Sequence, residues 1–257
     1  MQILVKFPTR GRPDNFFRAL DLYYAMAADP ARLQVQVTLD DDDPQMAAPA
    51  VRRRLADHPR LVVTSGSSRN KIHAINRDLP ADGWDILLLA SDDMIPVVKG
   101  YDEVIRQRMQ EHYPDTNGVL WFNDGNRADL NTLSILGRRY YDRFGYIYHP
   151  GYRSLYCDKE FTLVAELLGR QTYIDQVIIH HEHPTYGYGN LDAIHHLNDL
   201  NKAPDLHLFL RRRARRFDIG NPIVNRTRGF AFELRQQARI LRDRLKAQRP
   251  TAPSSPR

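Results

Sequence analysis

Cysteine is almost missing from this chain: Cys157 is the only one in 257 residues, so no intramolecular disulfide can form and a reducing compartment suits it. No stretch approaches the roughly 20 consecutive apolar residues of a membrane span. The opening Met1-Gln2-Ile3-Leu4-Val5-Lys6-Phe7-Pro8 has too short an apolar run for a signal peptide and reads as a first strand. GxxxxGK(S/T) and HExxH are both absent, which argues against a Walker-type phosphate loop and a zinc hydrolase. Acidic residues are scarce in one place only. Residues 206–257 hold 14 Lys and Arg against 3 Asp and Glu, whereas residues 1–205 hold 23 against 28.

That imbalance divides the chain into an expected globular domain over 1–205 and a basic extension over 206–257. The domain is slightly acidic, so no specific nucleic-acid partner is expected of it, and a nucleic-acid-binding protein would have to rely on the tail. In the tail Leu206, Phe209, Leu210, Ala214 and Phe217 make one helical stripe beside Arg211, Arg212, Arg213, Arg215 and Arg216. Phe230, Leu234, Ala238, Leu241 and Leu245 make a second, and residues 251–257 read as disordered. Basic amphipathic helices of this kind lie on an anionic membrane surface, or pack on their own domain or on a second subunit.

What is present in the domain is an alternation of strand and helix patterns. Strand-like runs at 3–7, 33–39, 61–64 and 85–90 are separated by helical spacing at 14–28, 47–58 and from residue 71, which predicts an α/β fold with a mostly parallel central sheet flanked by helices. Further strands are expected at 118–122, 132–137 and 174–179, with helices from 100 and from 157. The fourth run, Ile86-Leu87-Leu88-Leu89-Ala90, reads as a strand buried on both faces, and it stops at Ser91-Asp92-Asp93. Ligands of such sheets bind beyond the carboxyl ends of the strands. Two adjacent carboxylates there call for a hard cation or strong donors, unless they merely cap the strand.

Other polar loops fall on the same edge. Pro8-Thr9-Arg10-Gly11-Arg12 follows the first strand, and a guanidinium there matches a diphosphate. Asp40-Asp41-Asp42-Asp43 follows the second, where a carboxylate can accept from a ribose or base. Ser65 to Lys71 leads into a helix start with Arg69 and Lys71 as anion contacts. His180-His181-Glu182-His183 follows a late strand and offers imidazoles as metal ligands, or as donors to loop carbonyls.

Taken in order, Pro8-Thr9-Arg10, the acidic run, Asn70-Lys71-Ile72-His73-Ala74-Ile75-Asn76 and Leu87-Leu88-Leu89-Ala90-Ser91-Asp92-Asp93 resemble the motifs of nucleotide-sugar glycosyltransferases of the GT-A fold, broadly of the family-2 kind. The resemblance runs over roughly residues 3 to 185 and rests on the order of the four motifs. It implies transfer of a sugar from a nucleoside-diphosphate sugar, a UDP-sugar foremost, to a glycan or other hydroxyl acceptor, in surface glycan or polysaccharide synthesis, with inversion. It implies Mn2+ or Mg2+ on Asp92, Asp93 and His183, although the usual first aspartate of the metal motif falls here at Ala90 or Ser91. Pro8, Thr9, Arg10, Asp40, Asp41, Arg69, Lys71 and Asp92 would hold the donor; Trp121, Asn123 and Asp124 would meet the acceptor. Asp158, or next Glu160, would be the general base. The location implied is cytoplasmic, at the inner face of the membrane if the tail binds lipid. The rival enzyme is a nucleotidyltransferase, which needs a glycine-rich loop that Arg10-Gly11-Arg12 supplies poorly.

Overall fold

The computed structural model describes residues 1–58, 60–188 and 200–219. Its centre is a seven-stranded sheet built from β1 (Ile3–Thr9), β2 (Leu33–Asp40), β3 (Leu61–Gly66), β4 (Ile86–Leu89), β6 (Val119–Phe122), β7 (Ile135–Gly137) and β8 (Gln171–Ile174) in the order β3-β2-β1-β4-β7-β6-β8. The first four strands run parallel, β7 is antiparallel to both neighbours, and β8 returns parallel to β6. A separate two-stranded sheet joins β5 (Met94–Pro96) to β9 (Ile179–His181).

The continuous apolar run of β4 is explained by burial on both faces. Ile86 and Leu88 enter one core with α1 (Pro13–Ala25) and α4 (Tyr101–His112), where Phe16, Leu20, Tyr23, Tyr101 and Ile105 pack. Leu87 and Leu89 enter the other, with α3 (Lys71–Asn76), α5 (Arg138–Asp142) and α6 (Cys157–Leu167). Alternation along one strand thus feeds two layers of helices, the arrangement expected of a sheet covered on both sides. The short α2 (Pro49–Asp57) lies outside β3 and buries only Leu55.

One expectation needs correction. The single strand over 174–179 is two: β8 ends at Ile174, where the Gln176 amide turns back to the Ile174 carbonyl at 2.8 Å, and β9 begins at Ile179. The expected boundary at 205/206 falls inside α7 (Lys202–Ala214), a helix anchored on the domain. Asp205, 1% exposed, accepts the amides of Arg153, Ser154 and Leu155 at 3.0, 2.8 and 2.8 Å. Arg212 reaches Glu160 with Nε at 2.7 Å and Nη2 at 2.8 Å, both side chains being buried. Phe209 and Phe217 complete the contact from the first predicted stripe, while Leu210 is exposed. The second stripe and residues 251–257 lie outside the described residues.

Candidate functional site

β4 delivers its two carboxylates into different partnerships. Asp92 lies 3.3 Å from the Arg12 guanidinium, which the β1–α1 loop supplies. Burial raises its pKa, and Arg12 offsets this only in part. Asp93 accepts from the Ser91 hydroxyl and stands 3.4 Å from Nε2 of His181 on β9. Against the cost of burial, His181, Ser91 and the charge of Lys71 hold Asp93 well below the usual carboxylate range.

His181 lies between two carboxylates. Its Nδ1 is 3.6 Å from Asp124, too far for a hydrogen bond, and that buried nitrogen has no hydrogen-bond partner. Burial alone would lower the imidazole, but Asp124 and Asp93 together raise it to about 9. Asp124, 1% exposed, is engaged inside the protein: it accepts from the Thr132 hydroxyl at 2.5 Å and from the amides of Asn126 and Arg127 at 2.9 Å each. Gly125, at φ 87°, lets this loop cross His180, where a Cβ would collide with the imidazole. His183 follows β9, with its ring centre 5.4 Å from that of His181.

α3 brings Lys71 within charge range of Asp93, and the two asparagines of its motif have separable tasks. Asn70 caps the helix by accepting the His73 amide at 2.9 Å. Buried Asn76 holds the tyrosine-rich loop, donating to the Tyr148 carbonyl at 2.6 Å and accepting the Ile147 and Tyr148 amides at 2.9 and 3.1 Å. Between them exposed Lys71 projects a charge felt by both Asp93 and Asp158. Arg69 is exposed, and its amide approaches His73 Nδ1 at 3.4 Å.

Asp158 stands in the first turn of α6, two residues after Tyr156, which is in a left-handed conformation at φ 62°. Burial raises its pKa, while its bond from the Lys159 amide and the charges of Lys71 and Arg127 pull it back. Glu160 is committed elsewhere, to Arg212 and to the Tyr152 hydroxyl at 2.7 Å. Asn123 donates to Asp175 at 2.9 Å, and Trp121 packs edge to face on Tyr173.

The acidic run resolves residue by residue. Arg10 binds Asp40 at 3.0 Å and Asp42 at 2.5 Å, so its charge is shared with that loop. Asp43, 2% exposed, accepts the Gly11 amide at 2.7 Å and thereby ties the second loop to the first; Asp41 is exposed. Pro8 and Thr9 end β1, and the buried Thr9 hydroxyl has no partner. Two residues not singled out from the sequence organise this rim. Arg77 donates to the carbonyls of Leu39 and Gly66 at 2.6 and 3.0 Å, bridging the ends of β2 and β3. Lys6, fully buried, donates to Thr38 and to the Arg77 carbonyl at 2.6 Å. A lone lysine inside an apolar strand pattern is the only trace of this network in the sequence.

Among the described residues no three His, Cys, Asp or Glu side chains already converge as a metal cage. The carboxylates are nevertheless suited in kind to a hard divalent ion that also takes ligand and water oxygens: the burial of Asp92 is only partly offset by Arg12, and Asp93 beside it is held well below the usual carboxylate range. No family model and no curated protein matches the chain. Solved structures do. The mannosyltransferase PcManGT from Pyrobaculum calidifontis, in complex with GDP-Man and Mn2+, matches at TM-score 0.62 and 18% identity, over 83% of this chain and 64% of that one. S. aureus TarS 1-349 in complex with UDP matches at TM-score 0.57 and 16% identity, over 70% and 60%, and its complex with UDP-GlcNAc at 0.56. The chain thus spans less than two thirds of the length of either relative. At these identities the likeness is one of architecture alone, a GT-A-like α/β fold.

Proposed function

We propose that this protein is a glycosyltransferase that moves a sugar from a nucleoside-diphosphate donor to a hydroxyl acceptor in glycan or polysaccharide synthesis, assisted by a divalent metal and with inversion. The observation that carries the reading is the pairing at the end of β4, Asp92 beside Arg12 and Asp93 beside Ser91 and His181, with the charge of Lys71 acting on both Asp93 and Asp158. It is supported by the fold shared with enzymes solved with GDP-Man and UDP-GlcNAc.

Asp92, Asp93 and His183 are the residues to hold Mn2+ or Mg2+, which when bound neutralises the leaving diphosphate. Asp40 or Asp41, with Pro8 and Thr9 beside them, suits the nucleoside, and Lys71 and Arg69 suit the phosphates. Arg10 reaches them only by leaving Asp40 and Asp42. The acceptor oxygen bonds to the anomeric carbon as the bond to the diphosphate breaks, and the hydroxyl proton passes to Asp158. We favour Asp158 over Glu160 as base because Glu160 already bonds Arg212 and Tyr152. A single displacement of this kind inverts the anomeric centre.

No helix among the described residues is long and apolar enough to cross a membrane. Exposed Arg211, Arg213, Arg215 and Arg216 on and just after α7 suit peripheral contact with an anionic inner membrane face. The reading is tested with UDP-, GDP-, CDP- and dTDP-sugars, with and without Mn2+, by thermal shift and by product analysis. Stabilisation by one donor class and release of nucleoside diphosphate are expected; release of pyrophosphate, or no response to any donor, contradicts it.

A further inference from the structure

The outer edge of the sheet carries a feature that the donor site does not use. Trp121 on β6 and Tyr173 on β8 are register partners, so their rings leave the sheet on the same face, and they meet edge to face at 5.1 Å between centres. Tyr173 is 40% exposed. Facing them is one stripe of α6, Lys159, Thr162 and Glu166, at the helical spacing that aligns side chains. The groove between these walls has a volume of about 340 Å³, within the range of small-molecule sites, about 300–1,000 Å³.

The polar groups of the groove are only partly used by the fold. Gln171 shares the strand face of Tyr173, and its side-chain carbonyl oxygen is without a hydrogen-bond partner. The Glu166 carboxylate is exposed and has no partner among the described residues. Lys159 lies 5.6 Å from the Phe209 ring and keeps its donors. Asp129 also lines the groove, but Arg127 pairs with it at 2.7 Å. Cations and carboxylates are therefore interspersed, which disfavours a phosphate or other strongly charged ligand. Aromatic faces beside dispersed donors and acceptors match the apolar faces and hydroxyls of a neutral sugar. One wall leads to the proposed base: Thr162 donates to the Asp158 carbonyl at 2.9 Å, and Lys159 is the next residue.

We infer that this groove binds a neutral glycan, holding sugar units of the acceptor beyond the one that reacts. That the glycan is an acceptor rests on the transferase reading; that the groove takes carbohydrate rests on its own lining. The test applies the full chain to an array of short neutral oligosaccharides of glucose, galactose, mannose and N-acetylhexosamine, and in parallel measures UDP and GDP binding with Mn2+. Retention of at least one glycan class is expected, weakened about tenfold or more in Trp121→Ala and Tyr173→Ala and largely kept in Trp121→Phe, with nucleotide binding unchanged. Thermal melting verifies that each variant folds. Retention of no glycan by a chain that binds nucleotide, or retention indifferent to Trp121→Ala and Tyr173→Ala, overturns the groove alone. Glycan binding lost in Trp121→Ala by a chain that binds no nucleotide leaves the groove standing and removes the transferase reading.

Discussion

Replacing Arg212 by methionine leaves Glu160 buried and without its cation. The wild-type pair has Nε and Nη2 of Arg212 on both Glu160 oxygens at 2.7 to 2.9 Å, with each side chain 6% exposed. Removing one member of such a pair costs about 3–5 kcal/mol, most of it the desolvation of the charge left behind. Arg212 also donates to the Phe217 carbonyl at 3.2 Å and stands 3.3 Å from Asp218, so the end of α7 loosens as well. In Glu160→Gln/Arg212→Met neither member of the pair is charged, and the loss should fall to about 1–2 kcal/mol. Urea unfolding of the wild type, both single variants and the double variant completes the cycle. A coupling of about 2 kcal/mol or more, with faster proteolysis of α7 in Arg212→Met, is expected. An Arg212→Met variant within about 0.5 kcal/mol of wild type would refute the view that α7 is an integral part of the domain.

Further outcomes follow from the same geometry. Asn76→Ala leaves two amides and a carbonyl of the tyrosine-rich loop unsatisfied, so a loss of about 2–3 kcal/mol in urea unfolding is expected. Burial lowers Lys6 from 10.5 to about 7. Below pH 7 it is charged both folded and unfolded, and the folded state carries the whole penalty. Between pH 7 and 10.5 only the unfolded state holds that proton, so stability rises with pH there by at most about 1.4 kcal/mol per unit. The difference in unfolding free energy between wild type and Lys6→Met, followed from pH 6 to 10, should show that slope, and a flat difference contradicts it.

Much of the fold was legible because its signals are local. The β4 run, its stop at Asp92-Asp93 and the helix spacing of α1 each follow from burial patterns that a short window contains. The edge strand is harder: Gln171-Thr172-Tyr173-Ile174 is only partly apolar, so the apolar signal falls on the residues that follow. The basic segment misled for another reason. Asp205 and Arg212 look like solvated charges, and only their distant partners, the 153–155 amides and Glu160, explain their burial. In the site, residue types single out loops but not the pairings within them. Arg10 meets the acidic run, Arg12 meets Asp92, and His181 stands between Asp93 and Asp124. Asp43 and Arg77 act on backbone groups contributed from afar, which no spacing rule encodes.

Isothermal titration of UDP and GDP with Mn2+ into the wild type, Asp93→Asn and Asp158→Asn, paired with transfer rates on the donor that binds, separates the two ends of the proposed site. Asp93→Asn should weaken nucleotide binding about tenfold or more. Asp158→Asn should bind as the wild type does and transfer about 100-fold or more slowly. Undiminished nucleotide binding by Asp93→Asn, or undiminished transfer by Asp158→Asn, would contradict the assignment of this cleft.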